Sequence, residues 1–131
     1  MHFLIVDDDE SIHLYLNAIL APIAQCDSAM SGEEAVELFR AAHSGGQPYD
    51  VVMMDILMPG MDGHQAAESM RAYEKELGIS ELNQFKLVMI TSLVDDNNVS
   101  KAFFNTHAAC YIVKPLDKDK VFDELRQNLI I

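Results

Sequence analysis

VVMMDILMPGMDG, residues 51–63, decides how the rest of the chain is read. Four apolar residues, 51–54, precede one acid, Asp55, and the chain then breaks into a Pro/Gly loop. An apolar run of this length, without alternation, is the pattern of a strand buried on both faces. Such strands belong to parallel sheets with helices on either side. Asp55 stands where the strand ends. An acid there either caps the next element or is a chemical group held at the mouth of a sheet. Whatever else converges on it decides between the two.

Working outward, 3–6 is another apolar run, and it meets the acids DDDE at 7–10. The spacing predicts a helix over 11–20, with Ile12, Leu16, Ile19 and Leu20 on one face and Pro22 ending it. A weaker strand is expected over 23–29. SGEEAVELFRAAH, 31–43, has Ser31 as N-cap, and Glu33 and Glu34 suit the positive end of the helix dipole. Beyond the opening stretch, a helix is expected over about 63–77, a strand over 86–90, a helix over about 95–106, a short strand over 111–113, and a closing helix within 117–130. This is a βα unit repeated five times. It predicts an α/β fold, a (βα)5 doubly wound parallel sheet, and right-handed crossovers favour the flavodoxin-like strand order 2-1-3-4-5.

The chain of 131 residues suits a single domain, 1–131, with no output domain of its own. Half of it is hydrophobic and 23% charged, which argues for a globular core. A net charge of −12 argues against direct binding to nucleic acid and suits a basic partner or a bound cation. MHFLIV at the start is too short for a membrane span and lacks the basic flank of a signal peptide, so a cytoplasmic protein that makes no membrane contact is expected. Cys26 and Cys110 lie far apart and read as buried free thiols.

In the expected sheet, ligands bind beyond the carboxyl ends of the strands, near the switch between strands 1 and 3. The first strand delivers Asp7, Asp8 and Asp9 there, the third Asp55, the fourth Thr91 and Ser92, and the fifth Lys114. Carboxylates gathered in this way repel, and a hard divalent cation relieves them; oxygen ligands and the lack of a calcium-loop pattern favour Mg²⁺. Metal, ammonium and hydroxyl together form a cradle for a phosphoryl group, with Asp55 as a candidate nucleophile. Each residue alone has a plainer reading: a helix cap for 7–10, a strand end for Thr91, a solvated lysine for Lys114.

IVDDDE, SGEEA, VVMMDILMPGMDG, ITS and YIVKPL stand in that order along the chain. Together they resemble the receiver domain of bacterial two-component response regulators, of the single-domain, chemotaxis-regulator kind. The resemblance implies that Asp55 is the phosphoacceptor. It implies that Asp7 and Asp8 hold Mg²⁺, with Mn²⁺ as a substitute and with Leu57 adding its backbone carbonyl. It implies that Thr91 and Lys114 meet the phosphoryl group, that Lys114–Pro115 is cis, and that Tyr111 is an aromatic switch moving with Thr91. The phosphoryl donor would be a phosphohistidine of a sensor histidine kinase or a phosphotransfer domain. The output would be a changed face over the fourth helix, fifth strand and last helix, read by a downstream protein; dimerisation on phosphorylation is left open. A tyrosine on a short strand is also an ordinary packing residue.

Some positions depart from that pattern. His107 stands where a glycine commonly ends the fourth helix, and a left-handed backbone is expected there. AYEKELGISELNQF, 72–85, is longer than in many receivers and resembles those attached to hybrid kinases, which leaves a phosphorelay role open. Leu57 and Leu93, two places after Asp55 and Thr91, are apolar, so no side chain there orients water and slow self-hydrolysis is expected. Phe104 is expected buried and Phe103 nearer the output face. The methionines read as structural, and the five histidines as surface or hydrogen-bonded groups. Two other functions remain: a Mg²⁺-dependent phosphatase with an aspartyl-phosphate intermediate, disfavoured by Leu57 where a second acid is usual, and a receiver fold that serves only as an interaction module. The leading expectation is a signalling phosphoacceptor, not a metabolic enzyme.

Overall fold

Alternate side chains of the central strands face opposite layers of helices, which is why their sequences are apolar without a break. The computed structural model describes residues 1–92 and 106–131. Its strands are β1 (His2–Val6), β2 (Gln25–Ala29), β3 (Val51–Asp55), β4 (Lys86–Thr91) and β5 (Ala108–Val113). All pair in parallel, in the order β2-β1-β3-β4-β5. The helices are α1 (Glu10–Leu20), α2 (Gly32–Ser44), α3 (Gly63–Glu76) and a C-terminal helix, Lys118–Gln127. The helix expected over 95–106, with Phe103 and Phe104, lies outside the described residues, as does Leu93.

Leu4, Val6, Val52, Met54, Leu87 and Met89 pack under α2 and α3 with Phe39, Ala66, Ala67 and Met70. Phe3, Ile5, Val51, Met53, Val88 and Ile90 face the other way, onto Leu16, Leu20, Val121, Phe122 and Leu125. One strand thus feeds two cores, and the fold is the expected doubly wound sheet.

The helix ends follow from their caps. Asp9 accepts from the Ser11 amide and starts α1; Ser31 accepts from the Glu34 amide and starts α2. Asp62 and Gln65 form a reciprocal capping box at α3. Where element ends differ from expectation, local hydrogen bonds explain the difference. Residues 23 and 24 do not join β2, because both amides donate to the Leu20 carbonyl and stay tied to the end of α1. β5 starts at Ala108, earlier than its apolar pattern suggested; its small first residues give little signal but pair along β4 across a register shift at Leu87/Val88. His107 has φ 55, the left-handed backbone expected of it, and the Lys114–Pro115 bond is cis. Cys110 is buried and Cys26 half-buried at the sheet edge, both as free thiols. No helix among the described residues is long and apolar enough to cross a membrane.

Candidate functional site

The strand order sets β1 against β3, so the acids that follow one stand beside the acid that ends the other. Val6 pairs with Met54, and Asp55 pairs with Ile90 on the far side. Asp7 has no exposed surface and Asp55 is 5% exposed, while Asp8 lies open to solvent. One carboxylate oxygen from each of Asp7, Asp8 and Asp55 lies within 4.8 Å of the other two. Lys114, delivered by the end of β5, sets its Nζ 3.0 Å from Asp7 Oδ2 and 3.8 Å from Asp55 Oδ2. Its backbone amide donates to the Thr91 carbonyl at 2.7 Å, which ties the loop after β5 to the end of β4. Thr91 is buried as the last residue of β4.

The electrostatics follow from crowding. Burial, then the negative charge of Asp7, pushes the Asp55 carboxyl up to about 6; Lys114 pulls it back, Asp8 pushes it further up, and the Leu57 amide lowers it. Burial alone would lower the Lys114 ammonium, but the Asp7 carboxylate and the charge of Asp55 outweigh it and hold it above its usual value. One ammonium between these acids leaves the cluster with net negative charge. An all-oxygen donor set, two of whose three acids are buried, fits a hard divalent cation such as Mg²⁺, which accepts few carboxylates and keeps water or phosphate in its other positions. Leu57 follows directly in the loop, its residue about half exposed.

That loop is built to hold position. A Cβ on Gly63 would lie 2.3 Å from the Asp55 carbonyl, so only glycine lets α3 start this close to the strand. The Gly63 amide donates to the Ile56 carbonyl at 2.9 Å. Glu33 of α2 reaches across to accept from the Met61 amide at 3.3 Å. The sequence reading gave Glu33 only a helix-dipole role. It also missed His13, buried in α1, whose Nε2 lies 2.7 Å from the Asp7 carbonyl and braces the first acid from behind. A lone polar residue on an otherwise apolar helix face carries no sign of what it will meet.

Other expected residues fall in varied places. Asp9 caps α1, and Glu10 is the acid of its first turn. Tyr111 is half-buried on β5, level with Met89 and below Thr91 in the ladder, so it lies outside the carboxylate cluster. His64 departs from the expectation that histidines are exposed or bonded: it is buried, and neither ring nitrogen has a hydrogen-bond partner among the described residues. Its place on the inward face of the first turn of α3 buries the ring whatever its polarity.

Residues 3–126 match the family model described as the response regulator receiver domain. The chain belongs to the response regulator receiver domain family. It is 35% identical over 128 residues to the chemotaxis protein CheY of Treponema pallidum, covering 96% of this chain and 81% of that one. It is 32% identical to the chemotaxis protein CheY of Halobacterium salinarum, covering 96% and 94%. Of some other matched response regulators it spans about half the length, 54% and 46%. Among solved structures it is similar to the CheX-CheY-BeF3-Mg+2 complex from Borrelia burgdorferi, with 27% identity and a TM-score of 0.80 over 100% of this chain and 90% of that one. As a receiver, the chain is a signalling domain and not a metabolic enzyme, and its acidic pocket of Asp7, Asp8 and Asp55 fits the phosphoacceptor site of two-component signalling.

Proposed function

We propose that Asp55 accepts a phosphoryl group from a phosphohistidine of a sensor histidine kinase or a phosphotransfer domain. The observation that carries this reading is the meeting of Asp7, Asp8 and Asp55 within 4.8 Å, with Lys114 facing two of them. An Asp55 carboxylate oxygen attacks phosphorus as the bond to the donor nitrogen breaks, and the product is an acyl phosphate on a rigid strand end. Asp7, Asp8 and Asp55, with the Leu57 carbonyl, would hold Mg²⁺, which when bound supplies charge neutralisation for the phosphoryl oxygens. Lys114 is placed to move from Asp7 and Asp55 onto the new oxygens. Thr91 turns its hydroxyl toward them, and Tyr111 follows inward on β5.

A near-complete two-state switch needs about 5.5 kcal/mol of differential binding. Charge-assisted contacts from Thr91 and Lys114 would contribute roughly 1.5–3 kcal/mol each, so the two together with a bound metal would supply most of it. The altered surface around β5 and the C-terminal helix is then what a downstream protein reads, in the cytoplasm. Leu57 supplies no second acid two places past Asp55, which disfavours a multiple-turnover phosphatase.

The test is incubation with acetyl phosphate and Mg²⁺, read by intact mass. One phosphoryl group is expected on the wild-type chain and none on Asp55→Asn. Equal labelling of the two would overturn the assignment.

A further inference from the structure

One cavity of the described surface carries charge of the opposite sign to the chain. It lies at the far end of the sheet from Asp55, where the long connection 77–85 swings out between α3 and β4, and its volume is about 770 Å³. The chain as a whole has 21 acids to 9 lysines and arginines. The cavity inverts that ratio: Arg71, Lys75 and Lys86 line it, with Glu81 as the acid among its lining residues.

Arg71 is already committed to structure. It pairs with buried Glu74 at 2.9 Å, donates to the Phe85 and Thr106 carbonyls at 2.7 and 2.9 Å, and stacks over the Phe85 ring at 3.8 Å. It forms a fixed wall. The two lysines are different. Both are exposed, they come from separate elements (the last turn of α3 and the first residue of β4), and neither has a carboxylate within ion-pair distance among the described residues. Taken singly, Lys75 suits the carbonyl end of α3 and Lys86 is a solvated strand start. Those readings do not account for two unpaired ammoniums on one concavity in so acidic a chain.

We infer that this cavity binds a small polyvalent oxyanion, a phosphorylated or polycarboxylated molecule held between Lys75 and Lys86 against the Arg71–Phe85 wall. The volume falls within the roughly 300–1,000 Å³ of small-molecule sites. The ligand is polyvalent because the two ammoniums come from separate elements and suit an anion with oxygens to offer to both; against the Glu81 carboxylate and about half a negative charge at the carbonyl end of α3, they still leave the concavity net positive. It is separate from the carboxylate cluster: Lys86 and Thr91 are opposite ends of β4, about 17 Å apart at the usual rise per residue.

The experiment is an amide-resolved NMR titration of the full chain with inorganic pyrophosphate and, separately, citrate. Metal-free buffer and constant ionic strength remove binding through a cation and general screening. Saturable shifts are expected at the amides of Gly78, Lys86 and Ala109. In the Lys75→Ala/Lys86→Ala variant the apparent Kd should weaken by about tenfold or more, with the rest of the spectrum unchanged as the check on folding. Saturation by pyrophosphate alone makes the ligand a phosphate, by citrate alone a polycarboxylate, and by both a polyvalent oxyanion of either kind. Shifts that are absent, that grow linearly without saturating, or that keep the same Kd in the variant overturn the proposal.

Discussion

Asp55 carries the conflict on which the site depends: it is a carboxylate at the end of a buried strand, beside two other acids. Its carboxyl is pushed up to about 6 from 3.8, so the native state holds this proton more tightly than the unfolded chain does. Stability contributed by the protonated form is therefore present below about pH 4 and is lost as the pH rises through 6. With no divalent cation, the ionised group costs up to about 3 kcal/mol at pH 7. Asp55→Asn is expected to be more stable than wild type by about 1–3 kcal/mol at pH 7 in metal-free buffer, and no more stable near pH 4. Urea unfolding at the two pH values measures this; a variant that gains nothing at pH 7 would show that Lys114 already neutralises the cluster. Leu57 matters at the same scale. It is apolar and 51% exposed two places past Asp55, so it leaves any approaching water unoriented. The phosphorylated protein is accordingly expected to persist for minutes or longer in Mg²⁺, as followed by intact mass, and Leu57→Asn should shorten that time. A wild-type lifetime of a few seconds would refute the role given to this side chain.

Among the elements, the connection from α3 to β4 is held by one buried ion pair. Glu74 is 1% exposed, accepts from Arg71 at 2.9 Å and from the Phe85 amide at 2.8 Å, and so fixes where β4 begins. Removing one partner strands the other's charge in the interior. Glu74→Ala should therefore cost about 3–5 kcal/mol in unfolding free energy, and a loss under 1 kcal/mol would mean that Arg71 finds water instead. None of this was legible in AYEKELGISELNQF, where Glu74 looks like one solvated charge among several. A buried polar pair leaves no periodic trace, because periodicity reports apolar faces. The strands show the contrast. β1, β3 and β4 announce themselves as continuous apolar runs because both their faces are covered. β2 keeps only Ala29 fully inside, and β5 begins on small residues, so the boundaries of these two were the ones that shifted by more than one residue.

Across the whole molecule, the site was legible because topology, not local sequence, assembles it. Once five βα units imply the order 2-1-3-4-5, the residues at or just past the carboxyl ends of β1, β3, β4 and β5 must share one edge, and Asp7, Asp55, Thr91 and Lys114 are the residues found there. His13 and Glu33 stayed hidden because each acts through a backbone group of another element, Asp7 and Met61, which no spacing rule reaches. The same assembly ties the proposed cation binding to the fold. A divalent ion held by the acids at the ends of β1 and β3 would bind only the native state, so it would stabilise the chain by mass action, by about 1.4 kcal/mol when its concentration is ten times its Kd. The thermal midpoint should therefore rise with Mg²⁺ and level off only logarithmically, beyond any rise from NaCl at equal ionic strength, which screens the net charge of −12 without occupying the cluster. Asp8→Asn removes the exposed acid of the cluster without disturbing a buried partner, so it should lower the Mg²⁺-specific part of the rise while leaving the NaCl response intact. If Mg²⁺ and NaCl raised the midpoint equally in the wild-type chain, the three carboxylates would be a repelling group that solvent tolerates, and the metal would have no place in the mechanism.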